Sequence, residues 1–180
     1  GVFGVEVPPD FGDGTLLWHL EVRGKVFEIP GELREDWTVP AISGDAMDNR
    51  PPHLRFEDAG PEGFGPLGVW VGPREARVGR PAPLEVHASD DGVPTSGRPG
   101  VRAQPVTLRW FVHRGPPSVR FDPVQATIPN EGGTFSTAVV FDEPGEYVLR
   151  VRATDDSGLA PAGHEQCCWT NGFVRVSVSP

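Results

Sequence analysis

Two acidic turns carry the residues best suited to binding a metal ion. Asp90 and Asp91 precede Gly92 at the end of one alternating apolar stretch, and Asp155 and Asp156 end another. Calcium takes about six to eight oxygen ligands, most often carboxylates. If the two turns converge, the four aspartates predict a calcium site, and their repulsion without a cation would raise at least one pKa. The alternative is ordinary turn chemistry, for which Asp and Gly need no ligand.

The chain has two cysteines, and they are adjacent, at Cys167 and Cys168. In an exported chain an oxidised pair is expected, either as a strained ring between neighbours or as bonds to other chains or upstream sequence. Free thiols are the second interpretation. The third is a metal site with His164, which is disfavoured because adjacent side chains rarely both reach one ion. We predict oxidised pairing.

The rest of the sequence shows no arrangement typical of an enzyme. Its five histidines are dispersed, and no nucleophile motif such as GxSxG occurs. Lys and Arg number 16 against 25 Asp and Glu, a net charge of −9 that argues against a nucleic-acid partner. No run of eighteen apolar residues is present, so no transmembrane segment is predicted. We predict that the chain is not an enzyme.

The elements that would position these residues are strands. In the stretch 141–158, FDEPGEYVLRVRATDDSG, apolar residues alternate with Arg150 and Arg152, the pattern of a half-buried antiparallel strand. Similar alternation occurs in TLLWHLEV, VFEIP, PLEVHAS, VTLRWFV, TFSTAVVF and FVRVSV, with shorter or weaker runs at 53–57, 69–71 and 119–128. Glycine (23) and proline (21) fall between these runs as turn residues. The fold class predicted is all-β, an immunoglobulin-like antiparallel β-sandwich preceded by a small β-rich segment.

The polar stretch 43–52 predicts a boundary between a small β-rich unit, residues 1–49, and the sandwich, residues 50–180. The first unit has too few strands to bury a core by itself. Its first strand begins close to the start of the chain, so we expect an unpaired strand edge that pairs with another copy or an upstream segment. That edge comprises Val2, Phe3, Gly4, Val5, Glu6 and Val7.

The motifs LEVHASDDG, VTLRWFV, FDEPGEYVLRVRATDDSG and FVRVSV resemble the polycystic-kidney-disease (PKD) and cadherin-like modules of the immunoglobulin fold, over residues 66–180. The chain departs from the PKD pattern because FVHRGPPS follows Trp110 in place of a WDFGDG-type sequence. The resemblance implies that Trp110 fills the core and that Tyr147 bonds nearby backbone, as in a tyrosine corner. It also implies that the two acidic turns lie at one end of the sandwich. The whole chain resembles the C-terminal part of uncharacterised secreted bacterial proteins.

These observations favour a secreted or cell-surface structural module that contacts other proteins and could assemble with copies of itself into filaments or a surface structure. The alternative is an adhesion or carbohydrate-binding accessory module. For that alternative, exposed aromatic side chains would stack on sugar rings, with Trp70, Phe111 and Trp169 as the candidates. Calcium is the one cofactor considered.

Overall fold

The computed structural model describes residues 11, 16–31, 49–94, 100, 102–155 and 169–180, and of residues 29–31 the backbone alone. The chain divides into two compact units, Gly1–Trp37 and Thr38–Pro180. The boundary predicted between residues 49 and 50 follows a stretch outside the described residues, so it stays a prediction. Each unit is described by itself.

The first unit contains a β-hairpin of strands β1 (Leu16–Val22) and β2 (Lys25–Gly31). The strands pair antiparallel, from Leu16 opposite Gly31 to Val22 opposite Lys25. Arg23 and Gly24 make the two-residue turn, and both have positive φ, at 52° and 73°. That backbone suits a short hairpin connection, because its twist matches that of the flanking strands. The hairpin thus joins the two alternating runs TLLWHLEV and VFEIP.

The second unit is a β-sandwich of two five-stranded sheets. Its strands, in chain order, are β3 (His53–Arg55), β4 (Glu62–Gly63), β5 (Val69–Arg77), β6 (Ala82–Ser89), β7 (Val106–Arg114), β8 (Val119–Asp122), β9 (Gln125–Ile128), β10 (Gly133–Phe141), β11 (Gly145–Thr154) and β12 (Trp169–Ser179). One sheet has the order β4-β3-β6-β10-β8 and the other β5-β12-β11-β7-β9. The predicted all-β sandwich is confirmed.

The two sheets enclose the core through the inward side of each alternating strand. Leu84, Val86 and Ala88 of β6 are buried, as the alternation predicted. On β7 the inward residues include Trp110, which is 1% exposed and stacks on Phe121 with ring centroids 5.9 Å apart. The core position predicted for Trp110 is therefore confirmed.

Tyr147 of β11 is buried, and its hydroxyl donates a 2.8 Å hydrogen bond to the Glu143 carbonyl. This is the local backbone bond expected from a tyrosine corner. The ring also packs on Phe141 of β10, with centroids 4.8 Å apart. Tyr147 thus joins the turn before β11 to the opposite sheet.

The sheet containing β5 differs from the sequence prediction in one respect. β5 pairs parallel with β12, whereas every other strand pair of the described residues is antiparallel. β5 also continues from Val69 to Arg77, well beyond the predicted VWV run at 69–71. Gly72 and Pro73 interrupt its alternation, and the β5–β12 register shifts between Val174 and Val176. A strand can tolerate proline at a sheet edge, which is where β5 lies.

Buried polar residues at the start of β12 hold the 52–66 segment against the sandwich. The Thr170 hydroxyl donates to the Pro52 carbonyl and accepts a 2.9 Å hydrogen bond from the Gly65 amide. The Asn171 amide nitrogen Nδ2 donates to the Pro66 carbonyl at 2.8 Å. Buried polar groups normally have such partners, because an unpaired one costs free energy. These residues belong to β12, which begins at Trp169, four residues before the predicted FVRVSV run.

Candidate functional site

The first acidic turn is closed by hydrogen bonds from backbone amides to its carboxylates. The Asp90 carboxylate accepts a 3.0 Å bond from the Gly92 amide, and the Asp91 carboxylate accepts a 2.8 Å bond from the Val93 amide. Asp91 also accepts a 3.0 Å bond from the Arg50 amide. These are the bonds by which Asp residues close their own turns. The first acidic turn thus has a structural role whether or not it binds an ion.

The predicted calcium site is only partly within the described residues. Asp155 is buried at the end of β11, and Asp156 lies outside them. In the described part of the chain, no group of three or more His, Cys, Asp or Glu is arranged to hold a metal ion. Calcium binding by the full set of four aspartates therefore stays a prediction.

Two further predictions fall outside the described residues. The cysteine pair, Cys167 and Cys168, is one, and the strand edge from Val2 to Val7 is the other. Both stay predictions. The described residues contain no helix long and apolar enough to cross a membrane.

The aromatic candidates differ in how much of their surface is accessible. Trp70 is 45% exposed on β5 and stacks on Phe173 of β12, with ring centroids 4.2 Å apart. Trp169 is half-buried at the first position of β12, opposite Thr154. Phe111 is half-buried on β7. Of the three, Trp70 is the most exposed.

Trp70 belongs to a row of side chains that crosses four strands on the outer face of its sheet. Trp70 is paired in register with Phe173, Phe173 with Arg150, and Arg150 with Phe111. Residues paired across strands point to the same face of a sheet. With about 4.8 Å between neighbouring strands, the row is roughly 14 Å long. Three aromatic rings and one guanidinium therefore form a continuous strip across the sheet.

Arginines surround this row. Three guanidinium groups lie over the Phe111 ring, with Cζ-to-centroid distances of 5.6 Å for Arg109, 4.8 Å for Arg150 and 5.3 Å for Arg152. Arg175 lies 5.3 Å from the Trp70 centroid. These distances are within the range of cation–π attraction. We call this surface the arginine–aromatic face, defined by Trp70, Phe111, Phe173, Arg109, Arg150, Arg152 and Arg175.

The arginine–aromatic face concentrates positive charge without a matching carboxylate. The ion pairs of the described residues involve other side chains, so none of the four arginines has an acidic partner there. Burial lowers the pKa of Arg150, and it lowers the pKa of Arg152 together with the charges of Arg150 and Arg109. Burial also lowers the pKa of the adjacent His113, with Arg150 as the second cause. Arg109, Arg150 and Arg152 thus repel one another, and Arg150 also disfavours a positive charge on His113.

Sequence reasoning identified Trp70 and Phe111 but not the arginines as site residues. The signal available was the alternation of Arg150 and Arg152 with apolar core positions in YVLRVRAT, which placed both arginines on the outer face. That Arg109 and Phe111 lie beside them depends on the pairing of β11 with β7. The alternation within a single strand does not show which strands are its neighbours in the sheet.

A second polar cluster lies on the opposite sheet, beside a cavity of about 370 Å³ that His87 and Thr134 line. The Thr134 hydroxyl is 2.9 Å from Nδ1 of His87, and Nε2 of His87 is 3.5 Å from Glu85 and 3.7 Å from Asp58. Thr134 and His87 are directly paired across β10 and β6. Cross-strand pairing of polar side chains on an outer face is enough to explain this contact.

A scan against protein-family models gave no match, and a search of the curated proteins gave none. Solved structures similar to the chain include the CARDB domain of a Pyrococcus furiosus protein, in complex with di-metal ions. It is 15% identical and covers 73% of this chain and 90% of that chain, with a TM-score of 0.37. Domains 4 and 5 of the S-layer protein SbsC are 11% identical and cover 93% of this chain and 66% of that chain, with a TM-score of 0.38.

The PKD domain of an M14-like peptidase from a Thermoplasmatales archaeon is also similar. It is 16% identical and covers 73% of this chain and 96% of that chain, with a TM-score of 0.32. A PKD domain is thus among the solved structures that this chain is similar to, as the sequence resemblance predicted. At these identities and TM-scores the similarities support no statement about what the chain binds.

Proposed function

We propose that the chain is a non-catalytic structural module of an extracellular protein, and that it associates with a second copy through its first unit. The observation that carries this proposal is the apolar face of the β1–β2 hairpin. Leu20 of β1 and Phe27 of β2 are directly paired, and each is 50% exposed. Trp18 and Val22 extend the same face along β1, and both are exposed.

The opposite face of the hairpin has a different character. It carries a 3.2 Å contact between His19 and Glu28, which are paired across the two strands. Both side chains are more than half exposed. An ion pair of this kind remains favourable in water, whereas a row of Trp, Leu, Val and Phe does not. The same face also carries Leu17 and Val26, 57% and 53% exposed, so it is mixed in character. The face with Trp18, Leu20, Val22 and Phe27 is the more continuously apolar of the two.

An isolated two-stranded hairpin is marginally stable in water. Among the described residues β1 and β2 pair only with each other. Burial of the apolar face against the same face of a second copy would remove apolar area from both molecules at once. A two-fold contact of this kind uses one patch twice and needs no other partner. Strand addition at the edges would extend it, and residues 1–8 are the segment predicted to do so.

The test compares two exposed leucines on opposite faces of β1. Leu20→Glu places a charge in the apolar face, and Leu17→Glu places the same charge on the other face, where Leu17 is 57% exposed. We expect light scattering of the full chain at rising concentration to show association of the wild type and of Leu17→Glu, but not of Leu20→Glu. Thermal melting of each variant checks that the sandwich is intact.

Two outcomes would contradict the proposal. A wild-type chain that stays monomeric at the highest attainable concentration would rule out self-association. Equal effects of the two substitutions would show that the apolar face is not the contact. Deletion of residues 1–8 separately tests the predicted strand edge, because it should reduce higher-order assembly while leaving the hairpin dimer.

A further inference from the structure

We propose that the arginine–aromatic face is a binding site for an acidic polysaccharide, one whose sugar rings carry carboxylate groups. The site is on the outer face of the β5-β12-β11-β7-β9 sheet, so it is independent of the hairpin contact proposed above. It also differs from the neutral sugar site that an exposed tryptophan alone would suggest.

The first argument is unmet hydrogen-bonding capacity. The Nε atoms of Arg150 and Arg152 are buried, and neither has a hydrogen-bond partner among the described residues. A guanidinium offers a rigid fork of donors that matches a carboxylate with two parallel hydrogen bonds. Because these Nε atoms are buried, the donors that an anion can reach are those at the outer end of each half-buried guanidinium.

The second argument is charge. Arg109, Arg150 and Arg152 meet over one ring in a chain whose net charge is −9. Acidic side chains are in excess, yet none pairs with these arginines in the described part of the chain. Bound carboxylates would relieve the repulsion among the guanidinium groups. The positive charge is confined to this part of the sheet, so it favours a ligand whose carboxylates all face the sheet.

The third argument is shape and identifies a sugar. Trp70 is 45% exposed at one end of the row, where one ring face stacks on Phe173 and Arg175 lies 5.3 Å from the centroid. Three further guanidinium groups lie at the other end, over Phe111. A pyranose ring has a C–H face that packs against the electron-rich face of an aromatic ring. The strip is roughly 14 Å long, counted at about 4.8 Å per strand. One sugar ring on Trp70 would place the carboxylates of the next rings over the arginines.

An acidic peptide fits the face less well. Peptides that bind sheets usually pair with a free strand edge, but β12, β11 and β7 each have partners on both sides. Single-stranded nucleic acid binds by stacking successive bases on open aromatic rings. Here Phe111 is covered by arginines, and Phe173 is buried beneath Trp70 and His113. Both alternatives are included in the test.

The experiment is isothermal titration calorimetry of the full chain with oligogalacturonate, a chain of carboxylated sugars. Dextran, poly-glutamate and oligo-thymidylate are titrated in parallel. We expect binding of oligogalacturonate that weakens as salt is added, with much weaker binding of the other three. No binding of oligogalacturonate, or equal binding of dextran, poly-glutamate or the oligonucleotide, would overturn the proposal.

Two arginines provide a matched pair of variants. Arg109 is exposed on the face, and Arg80 is exposed in the turn after β5, so Arg109→Gln and Arg80→Gln change the net charge equally. We expect Arg109→Gln to weaken binding about tenfold, the size of one charge-assisted hydrogen bond, and Arg80→Gln to change it less than about twofold. Trp70→Ala should weaken binding to a similar extent as Arg109→Gln. Equal affinities of the two arginine variants would overturn the assignment, and both side chains are exposed enough that folding should be unaffected.

Discussion

The Arg150 guanidinium lies 4.8 Å from the centre of the Phe111 ring, and the two residues are directly paired across β11 and β7. Arg109 and Arg152 lie over the same ring. The aromatic face attracts each cation, while the cations repel one another. Phe111 therefore serves as the group that allows three like charges to occupy one part of the sheet.

Replacement of Phe111 by leucine keeps an apolar side chain but removes the aromatic face. We expect Phe111→Leu to lower the free energy of unfolding by roughly 1–2 kcal/mol, from partial loss of cation–π attraction. Phe64→Leu is the control, since Phe64 is exposed, stacks on His53 and has no arginine of the described residues over its ring. Urea unfolding measures both. An equal decrease in the free energy of unfolding for the two variants would show that the cation–π contacts with Phe111 do not stabilise the sandwich.

Trp110 offers a test of the core. Its ring is 1% exposed between Phe121 and Phe56, with centroids 5.9 Å and 6.3 Å away. We expect Trp110→Ala to destabilise the sandwich by roughly 3–5 kcal/mol in denaturant unfolding, because a large cavity remains. Trp70→Ala, at an exposed position, should cost far less. A loss below about 1 kcal/mol for Trp110→Ala would contradict its place in the core.

Tyr147 should make the stability of the sandwich sensitive to alkaline pH. Burial, with Glu143 and Asp142 as weaker causes, raises the pKa of Tyr147 above its ordinary value of 10.0. As pH rises, the tyrosine of the unfolded chain loses its proton before that of the folded chain. The contribution of Tyr147 to the stability of the sandwich is therefore fully present below about pH 10 and is lost as pH rises through the folded-state pKa. Melting temperatures measured across this range should fall less steeply for Tyr147→Phe than for the wild type.

The same residue can be observed directly, because it is the one tyrosine of the chain. Phenolate absorbance of the folded protein should therefore appear above the ordinary tyrosine range. Ionisation at the ordinary pKa without unfolding would contradict the prediction. At neutral pH, Tyr147→Phe should cost about 1 kcal/mol, from loss of the hydroxyl bond to Glu143.

The calcium prediction concerns Asp90, Asp91, Asp155 and Asp156. If they bind the ion in the folded state, calcium should raise the melting temperature by mass action, and a chelator should reverse the rise. Asp155→Asn should weaken the effect. Asp122→Asn, at an exposed position on β8, is the control. Identical melting curves in calcium and in chelator would leave Asp90 and Asp91 with their turn-closing role alone.

The cysteine prediction is that Cys167 and Cys168 are oxidised in the mature protein. Intact-mass analysis after alkylation, with and without prior reduction, distinguishes the states. We expect thiols to be alkylated only after reduction. Two alkylated thiols in unreduced protein would contradict the prediction.

Much of the sandwich could be predicted because each strand carries its own alternation. Val86, Leu108 and Val151 lie inward for the same reason, a period of two with one face buried. The hydroxyl bond of Tyr147 was expected from the resemblance to modules with a tyrosine corner, and its acceptor lies four residues away in the chain. Local pattern sufficed wherever the determining contacts are local.

The parallel pairing of β5 and the arginine–aromatic face could not be predicted in this way. Val69 to Arg77 pairs with a strand about a hundred residues later in the chain, and Gly72 and Pro73 break the pattern between. The face requires the order β5-β12-β11-β7, which brings Trp70 and Phe111 to opposite ends of one row. These features depend on which strands become neighbours, and alternation alone leaves that choice open.

The parallel β5–β12 pair also makes the resistance of the sandwich to stretching depend on the direction of the force. Val69 at the start of β5 and Ser179 at the end of β12 lie at opposite ends of the pair, so tension between them slides the strands lengthwise and loads the paired residues together. Gly145 and Val178 are directly paired at one end of β11 and β12, so tension between them would open that pair one residue at a time. The same fold should thus resist stretching strongly along one axis and yield easily along another.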